Sequence, residues 1–295
     1  MLTILGLAGG VALSALSAGG VPQMAVLTAG PEKVQAQQQA PDTVQRLWQA
    51  LDLGAMMPIL QEEAVREAVK MEAEGLIQGG GRPWPEVVAQ VHQPDRLAAL
   101  FQAAVLVAQD RVDAALLDQG LNFYEQGPGR RLVALETSAR RAMLEEEVEA
   151  DAIAAFARAE AEGHPRAVQI QRLIEEADLV SPNVAGGLNA LVAFSRGFAQ
   201  GGGFDMPLTE EQLMADTWAQ QEQIEADAQE WLQAFLMLAY APLSDGEMED
   251  YIAYATSPAG QALALVLYAA FDQVFEQASF DTGLAAALRM QGRQL

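Results

Sequence analysis

The side chains that could do chemistry are unevenly supplied in this sequence. There are two histidines, His92 and His164, and no cysteine, against 40 carboxylate side chains. Without cysteine, disulfides, zinc–thiolate sites and thiol nucleophiles are excluded. Neither histidine stands in a spacing such as H-E-x-x-H, and two isolated imidazoles supply too few ligands for zinc. Both sit beside helix breaks, which predicts exposed turn residues. A serine nucleophile would need a G-x-S-x-G elbow or S-x-x-K, and neither occurs. The triple glycines Gly79–Gly81 and Gly201–Gly203 lack the Lys-Ser/Thr of a phosphate loop and read as flexible links. An Asp/Glu pair remains open, because carboxylates are plentiful, but nothing locates it. The run Glu145-Glu146-Glu147 with Glu149 and Asp151 has charge enough for calcium. It falls in a helical stretch without the Gly-containing loop that wraps oxygen ligands round the ion. A solvated helix face is expected there. No catalytic residue, metal ligand or cofactor site is assigned.

Two groups of residues point to binding instead. Basic residues are scarce, yet Arg130, Arg131, Arg140 and Arg141 fall close together. Glu136 precedes Arg140 by one helical turn and Arg141 precedes Glu145 by one, so intrahelical pairs would account for two of them. The alternative is a docking patch for an acidic group. The second group is aromatic: Tyr251, Tyr254, Tyr268, Phe271 and Phe275 lie on or just before a helix expected from Pro258 to Phe280. That helix is apolar almost all round, as a helix buried on several sides is. It is either the core of its half or one wall of a groove for an apolar ligand or partner helix.

These residues have to be held by something, and composition says what. The 295 residues are 51% hydrophobic and 19% charged, a globular balance rich in Ala, Leu, Gln and Glu, which favour helix. Alternating runs of β-branched and aromatic residues are missing, so strands have no candidate. A net charge of -23 disfavours nucleic acid, whose phosphates need clustered Lys and Arg. The N-terminus reads as a leader. Met1 to Ala29 carries no ionisable side chain, and Val34-Gln35-Ala36 offers small residues at the positions a signal peptidase reads. Cleavage after Ala36 would deliver the protein to the periplasm or outside the cell. The alternative is a permanent anchor, since the uncharged run exceeds the roughly 18 residues that span a bilayer. Gly9-Gly10, Gly19-Gly20 and Pro22 interrupt that run, and no second spanning segment follows, so a mature chain free of integral membrane segments is expected.

The rest of the chain looks written twice. Setting Gly129 on Gly260 also sets Leu121 on Ile252, Phe123 on Tyr254, Leu132 on Leu263, Leu135 on Val266 and Ala139 on Ala270. Upstream, Arg46-Leu47 before Asp52-Leu53 resembles Arg172-Leu173 before Asp178-Leu179. The expected organisation is a leader over 1–36, one helical repeat over 37–165 and a second over 166–295. The fold class is therefore all-α, a tandem duplication of a multi-helix unit longer than solenoid repeats. Gly163-His164-Pro165 marks the joint, and Asp42–Gln45, Thr209–Gln212 and Ser244–Glu247 are capping-box patterns. Ser181-Pro182 predicts a further cap and first helical position. At the repeated corner Ser257 caps a helix, Pro258 takes the first position, and Gly129 and Gly260 let the preceding helix approach.

The stretch Tyr254-Ala255-Thr256-Ser257-Pro258-Ala259-Gly260-Gln261, an aromatic followed by a Ser-Pro-x-Gly turn, resembles the bacterial family called domain of unknown function 2059. Phe123-Tyr124 with Gly129-Arg130-Arg131-Leu132 is similar to a second, divergent copy. The resemblance implies an exported, helical protein and carries no catalytic residues. The expected function is non-enzymatic binding of an envelope partner or an apolar ligand. A hydrolase using an unlocated Asp/Glu pair and a purely structural scaffold are the alternatives.

Overall fold

The computed structural model describes residues 40–204, 206 and 208–292. The leader over 1–36, with Val34-Gln35-Ala36, lies outside those residues. Every regular element described is helical. α1 (Ala40–Ala50), α2 (Leu53–Ala73), the short α3 (Trp84–Val91) and α4 (Pro94–Ala108) come first. A 3-10 turn at Gln109–Arg111 leads to α5 (Ala114–Glu125), α6 (Pro128–Ala142) and α7 (Glu146–Ala161). Then follow α8 (Pro165–Glu176), α9 (Val180–Gln200), α10 (Glu210–Trp218), α11 (Gln221–Ala239), α12 (Asp245–Ala255) and α13 (Pro258–Met290).

Local chemistry explains most helix starts. Proline occupies the first turn of α3, α4, α6, α8 and α13, where its missing N–H has no partner to lose. Thr209 and Ser244 form complete capping boxes, and Ser257 Oγ accepts from Gly260 N at 3.1 Å. Two expected caps are corrected. α1 begins at Ala40, so Asp42 lies inside it. α9 begins at Val180, so Ser181 is already helical, and its hydroxyl donates back to Asp178 Oδ1 at 2.5 Å. The turn is made by Asp178 itself, which adopts φ 48°; Asp52 adopts φ 48° at the α1–α2 turn. Aspartate tolerates this left-handed conformation better than most non-glycine residues.

Three clusters of buried side chains fill the interior. The first gathers α1, α2, α4 and α5 round the N-terminal part of α13, with Phe101 against Phe271 at 4.9 Å. The second joins α6, α7 and α8 to α11 and α12. A small third cluster packs the end of α2 and α3 against the ends of α9 and α13. α13, 33 residues and about 50 Å long, runs from the first cluster into the third. α9 lies along it. A Cβ at Gly197 would strike the Phe280 carbonyl, and one at Gly283 would strike the Phe194 carbonyl, so each helix seats its backbone on the other's glycine.

The corners at α5–α6 and α12–α13 meet face to face. Phe123 and Tyr254 stack with ring centroids 3.6 Å apart and planes 6° from parallel. A Cβ at Gly129 would meet the Phe123 carbonyl and one at Gly260 the Tyr254 carbonyl, so each glycine admits the preceding helix end. Arg46 reaches from α1 to Asp118 and Glu125 on α5, at 2.7 and 2.8 Å. Arg172 reaches from α8 to Glu249 on α12 at 3.0 Å.

Candidate functional site

Between α2, α3, α9, α11 and α13 the packing leaves a pocket of about 140 Å³ that opens to solvent. Small residues create it. Ala64 and Ala68 on α2 face Gly187 and Ala190 on α9, too short to fill the space between their helices. Trp84 supplies a wall. As the first residue of α3 it is fully buried, and its backbone N–H donates to Glu72 Oε1 at 3.2 Å. Glu72 also receives Arg289 Nη2 at 2.8 Å, so the ends of α2 and α13 are tied to the start of α3. The indole Nε1 is buried without a hydrogen-bond partner. An unmade bond of this kind costs about 1–3 kcal/mol.

His92 lines the same pocket. The expectation of an exposed turn residue is corrected: it caps the end of α3 and is 8% exposed. Burial pushes its imidazolium below the usual range, and the charge of Arg96 acts in the same direction. Its Nδ1 lies 3.0 Å from Val88 O, which assigns the ring proton there and leaves Nε2 as an acceptor. Glu67 from α2 and Asp227 from α11 stand at the pocket with Gln220, Gln223, Ser279 and Thr282. Glu67 is half-buried and Asp227 exposed.

A second depression, about 1010 Å³, runs between α2 and α7. Its charges are largely spent on one another: Arg66 pairs with Glu145 at 2.9 Å and Lys70 with Glu146 at 2.7 Å. Glu149 in this groove is pushed up by burial. Among the described residues no group of three or more His, Cys, Asp or Glu side chains is placed to hold a metal ion.

The four arginines do not converge. Arg130 and Arg131 begin α6, where Arg130 donates to Glu125 O at 2.5 Å and Arg131 pairs with Glu247. Arg140 and Arg141 end it, about 15 Å away along the axis. Arg140 is buried, its guanidinium 5.5 Å from the Trp231 ring centroid and paired with Glu63 at 2.7 Å across the α2–α6 contact. Arg141 is exposed, and Glu145, its expected partner, pairs with Arg66 instead. His164 is exposed and accepts from Arg166 N, a helix cap with no metal-binding company.

The aromatic residues expected to line a groove are used as core. Phe271 is buried against Phe101 and Phe275. Tyr268 and Phe275 pack half-buried on the first cluster, and Tyr254 is held in the Phe123 stack with its hydroxyl donating to Gly120 O at 2.9 Å. Tyr251 is buried beside Tyr240. None of the five lines the α2–α3–α9 pocket, because the aromatic face of α13 is what fastens it to α4 and α5. Sequence reasoning missed Trp84, and it read buried His92 as an exposed turn residue and buried Glu136 as a helix-face partner of Arg140. Pro83-Trp84-Pro85 does mark a helix start, but nothing in it says that the indole will be enclosed. Glu136 is fully buried and accepts from Tyr240 Oη at 2.6 Å, with burial and Glu136 both pushing that phenol up. The triple glycines are also more than links. Gly79 packs against the Arg289 carbonyl and Gly203 against the Phe198 ring.

No helix among the described residues is long and apolar enough to cross a membrane. No protein family, curated protein or solved structure matches the chain.

Proposed function

We propose that this protein is a non-enzymatic binder of a small apolar ligand, exported to the cell envelope, with its site in the pocket between α2, α3, α9 and α13. The observation that carries the reading is a mostly apolar pocket walled by Met71, Trp84, Val88, Leu191, Phe194 and Ile224. Its volume of about 140 Å³ is close to that of dry apolar cavities known to hold a single benzene ring. Binding fits better than hydrolysis. Acid–base catalysis on glycosidic or ester bonds needs one carboxyl held protonated near neutrality. The carboxyls pushed upward here, Glu149 and Asp272, lie outside this pocket. A thermal melt in saturating benzene tests the reading: the midpoint should rise, and Ala68→Phe, which fills the pocket, should remove the rise. No shift in the wild type would refute it. Export is tested by N-terminal sequencing of protein from its own host, with Gln37 expected first and a retained Met1 on soluble protein arguing against it.

We also infer that 37–165 and 166–295 descend from one duplicated unit. The recurrent Asp turns at φ 48°, the paired Arg46 and Arg172 contacts and the facing corners at Gly129 and Gly260 support this. Each corner helix packs with the opposite half, α13 with α4 and α6 with α11, as in an exchange of helices between two copies. The resemblance of both corners to domain of unknown function 2059 agrees with two related copies.

A further inference from the structure

We propose that the ligand of this pocket carries a protonated amine on its apolar body. The proposal rests on the binding reading above and adds the ligand's charge. Its basis is the hydrogen-bonding inventory of the lining. The acidic groups at the pocket are Glu67 and Asp227, from two different helices, and neither Lys nor Arg lines it. Lys70, one turn beyond Glu67, is occupied by Glu146, and Arg96, close to His92, is occupied by Asp281.

The neutral groups lean the same way. One N–H of Gln223 is spent on Asp227 Oδ1 at 2.7 Å, and the amide of Gln220 points a proton at Asp216 O at 3.4 Å. The Thr282 hydroxyl donates to Ala278 O at 2.7 Å, so its oxygen keeps only acceptor capacity. His92 offers Nε2, its proton being on the Val88 side. The polar edge thus offers acceptors on Glu67, Asp227, Thr282 and His92, beside the second amide protons of Gln220 and Gln223. An ammonium has three donors and no acceptor, which matches such an edge. The apolar wall is also partly aromatic, through Trp84 and Phe194, and ring faces attract cations. A carboxylate or phosphate would meet two like charges and few donors. The size limits the body to one ring or a short chain, with the ammonium at the rim.

The test is a matched series with one phenyl ring and a two-carbon arm: 2-phenylethylamine, 2-phenylethanol and 3-phenylpropionate. Each is titrated into the full-length protein at neutral pH by calorimetry and by thermal shift. The amine should bind about 5- to 10-fold more tightly than the alcohol, an increment of the size expected for one partly screened charge contact with an aromatic neighbour. The propionate should bind more weakly than either. Glu67→Gln should bring the amine to the level of the alcohol and leave the alcohol unchanged. Asp227→Asn, at an exposed position where folding is not at stake, should lower the amine in the same selective way. Equal affinities for amine and alcohol, or a loss shared by both in Glu67→Gln, would overturn the proposal while leaving apolar binding intact. Failure of all three, together with failure of benzene, would remove the binding reading itself.

Discussion

The contact between α9 and α13 makes the sharpest stability prediction. Gly283 sits in the interior of α13, where alanine would ordinarily improve a helix by about 1 kcal/mol. Here the added methyl would collide with the carbonyl oxygen of Phe194 and lie 2.9 Å from its carbon and 3.0 Å from the Phe198 nitrogen. All three are backbone atoms inside α9, so no side chain can swing aside; the helices must part. Overpacking of this kind costs about 1–3 kcal/mol, and the upper end applies because a rigid helix must move. Subtracting the helix-propensity gain leaves a net loss of about 2 kcal/mol. For a chain of 295 residues that is a fall in melting midpoint of about 3–4 °C. Gly246 in α12 is the control, since nothing lies within 4 Å of its Cβ direction. Gly246→Ala should be neutral or slightly stabilising in the same thermal melt. Gly197→Ala should resemble Gly283→Ala, and the double variant should lose less than the sum, because the helices need to separate only once. If Gly283→Ala matched the wild type or gained stability like Gly246→Ala, the close approach inferred for these helices would be wrong.

Tyr240→Phe removes the hydroxyl that donates to buried Glu136, and should cost about 2 kcal/mol in urea denaturation, as loss of a hydrogen bond to a buried carboxyl does. Asp272 has its carboxyl raised from 3.8 to about 6 by burial first and Glu276 second. The folded state therefore holds this proton more tightly than the unfolded chain, so its destabilising effect is full above pH 6 and relieved as pH falls towards 4. Asp272→Asn should stabilise by about 1 kcal/mol at pH 8, a figure reduced for partial solvent exposure, and the gain should disappear by about pH 4. A pH-independent gain would point to packing instead. Residues 37–163 produced alone should lack a fixed tertiary structure by near-ultraviolet circular dichroism and recover it when mixed with 164–295. They lack Leu263, Val266, Leu267, Ala270, Phe271 and Val274, whose burial supplies about 10 kcal/mol, comparable to the whole stability of a domain. A native-like spectrum from the first fragment alone would contradict the shared core.

Much of the local architecture could be read from the residues. The helix caps at Thr209, Ser244 and Ser257 depend on a hydroxyl two or three residues from an unpaired N–H, and such contacts are fixed within one turn of chain. The all-helical class, the break at Gly163-His164-Pro165 and the corner glycines follow from equally local rules. Periodicity also disclosed that α13 is apolar on most sides. It could not say what would meet those sides, because an apolar stripe has no address. Phe271 found Phe101 on α4, 170 residues earlier, where Gly197 and Gly283 let α9 and α13 close together. The same holds for the polar groups. Glu136 and Arg140 look like a surface pair in sequence, yet α6 turns that face inward against Tyr240 and Glu63. The pocket is the clearest case. Ala64, Ala68, Gly187 and Ala190 are ordinary helix residues, and the space they leave exists only where α2 and α9 come together with α3, α11 and α13. A cavity is a property of the distances between helices, and those distances were decided by the tertiary contacts that no single stretch of sequence contains.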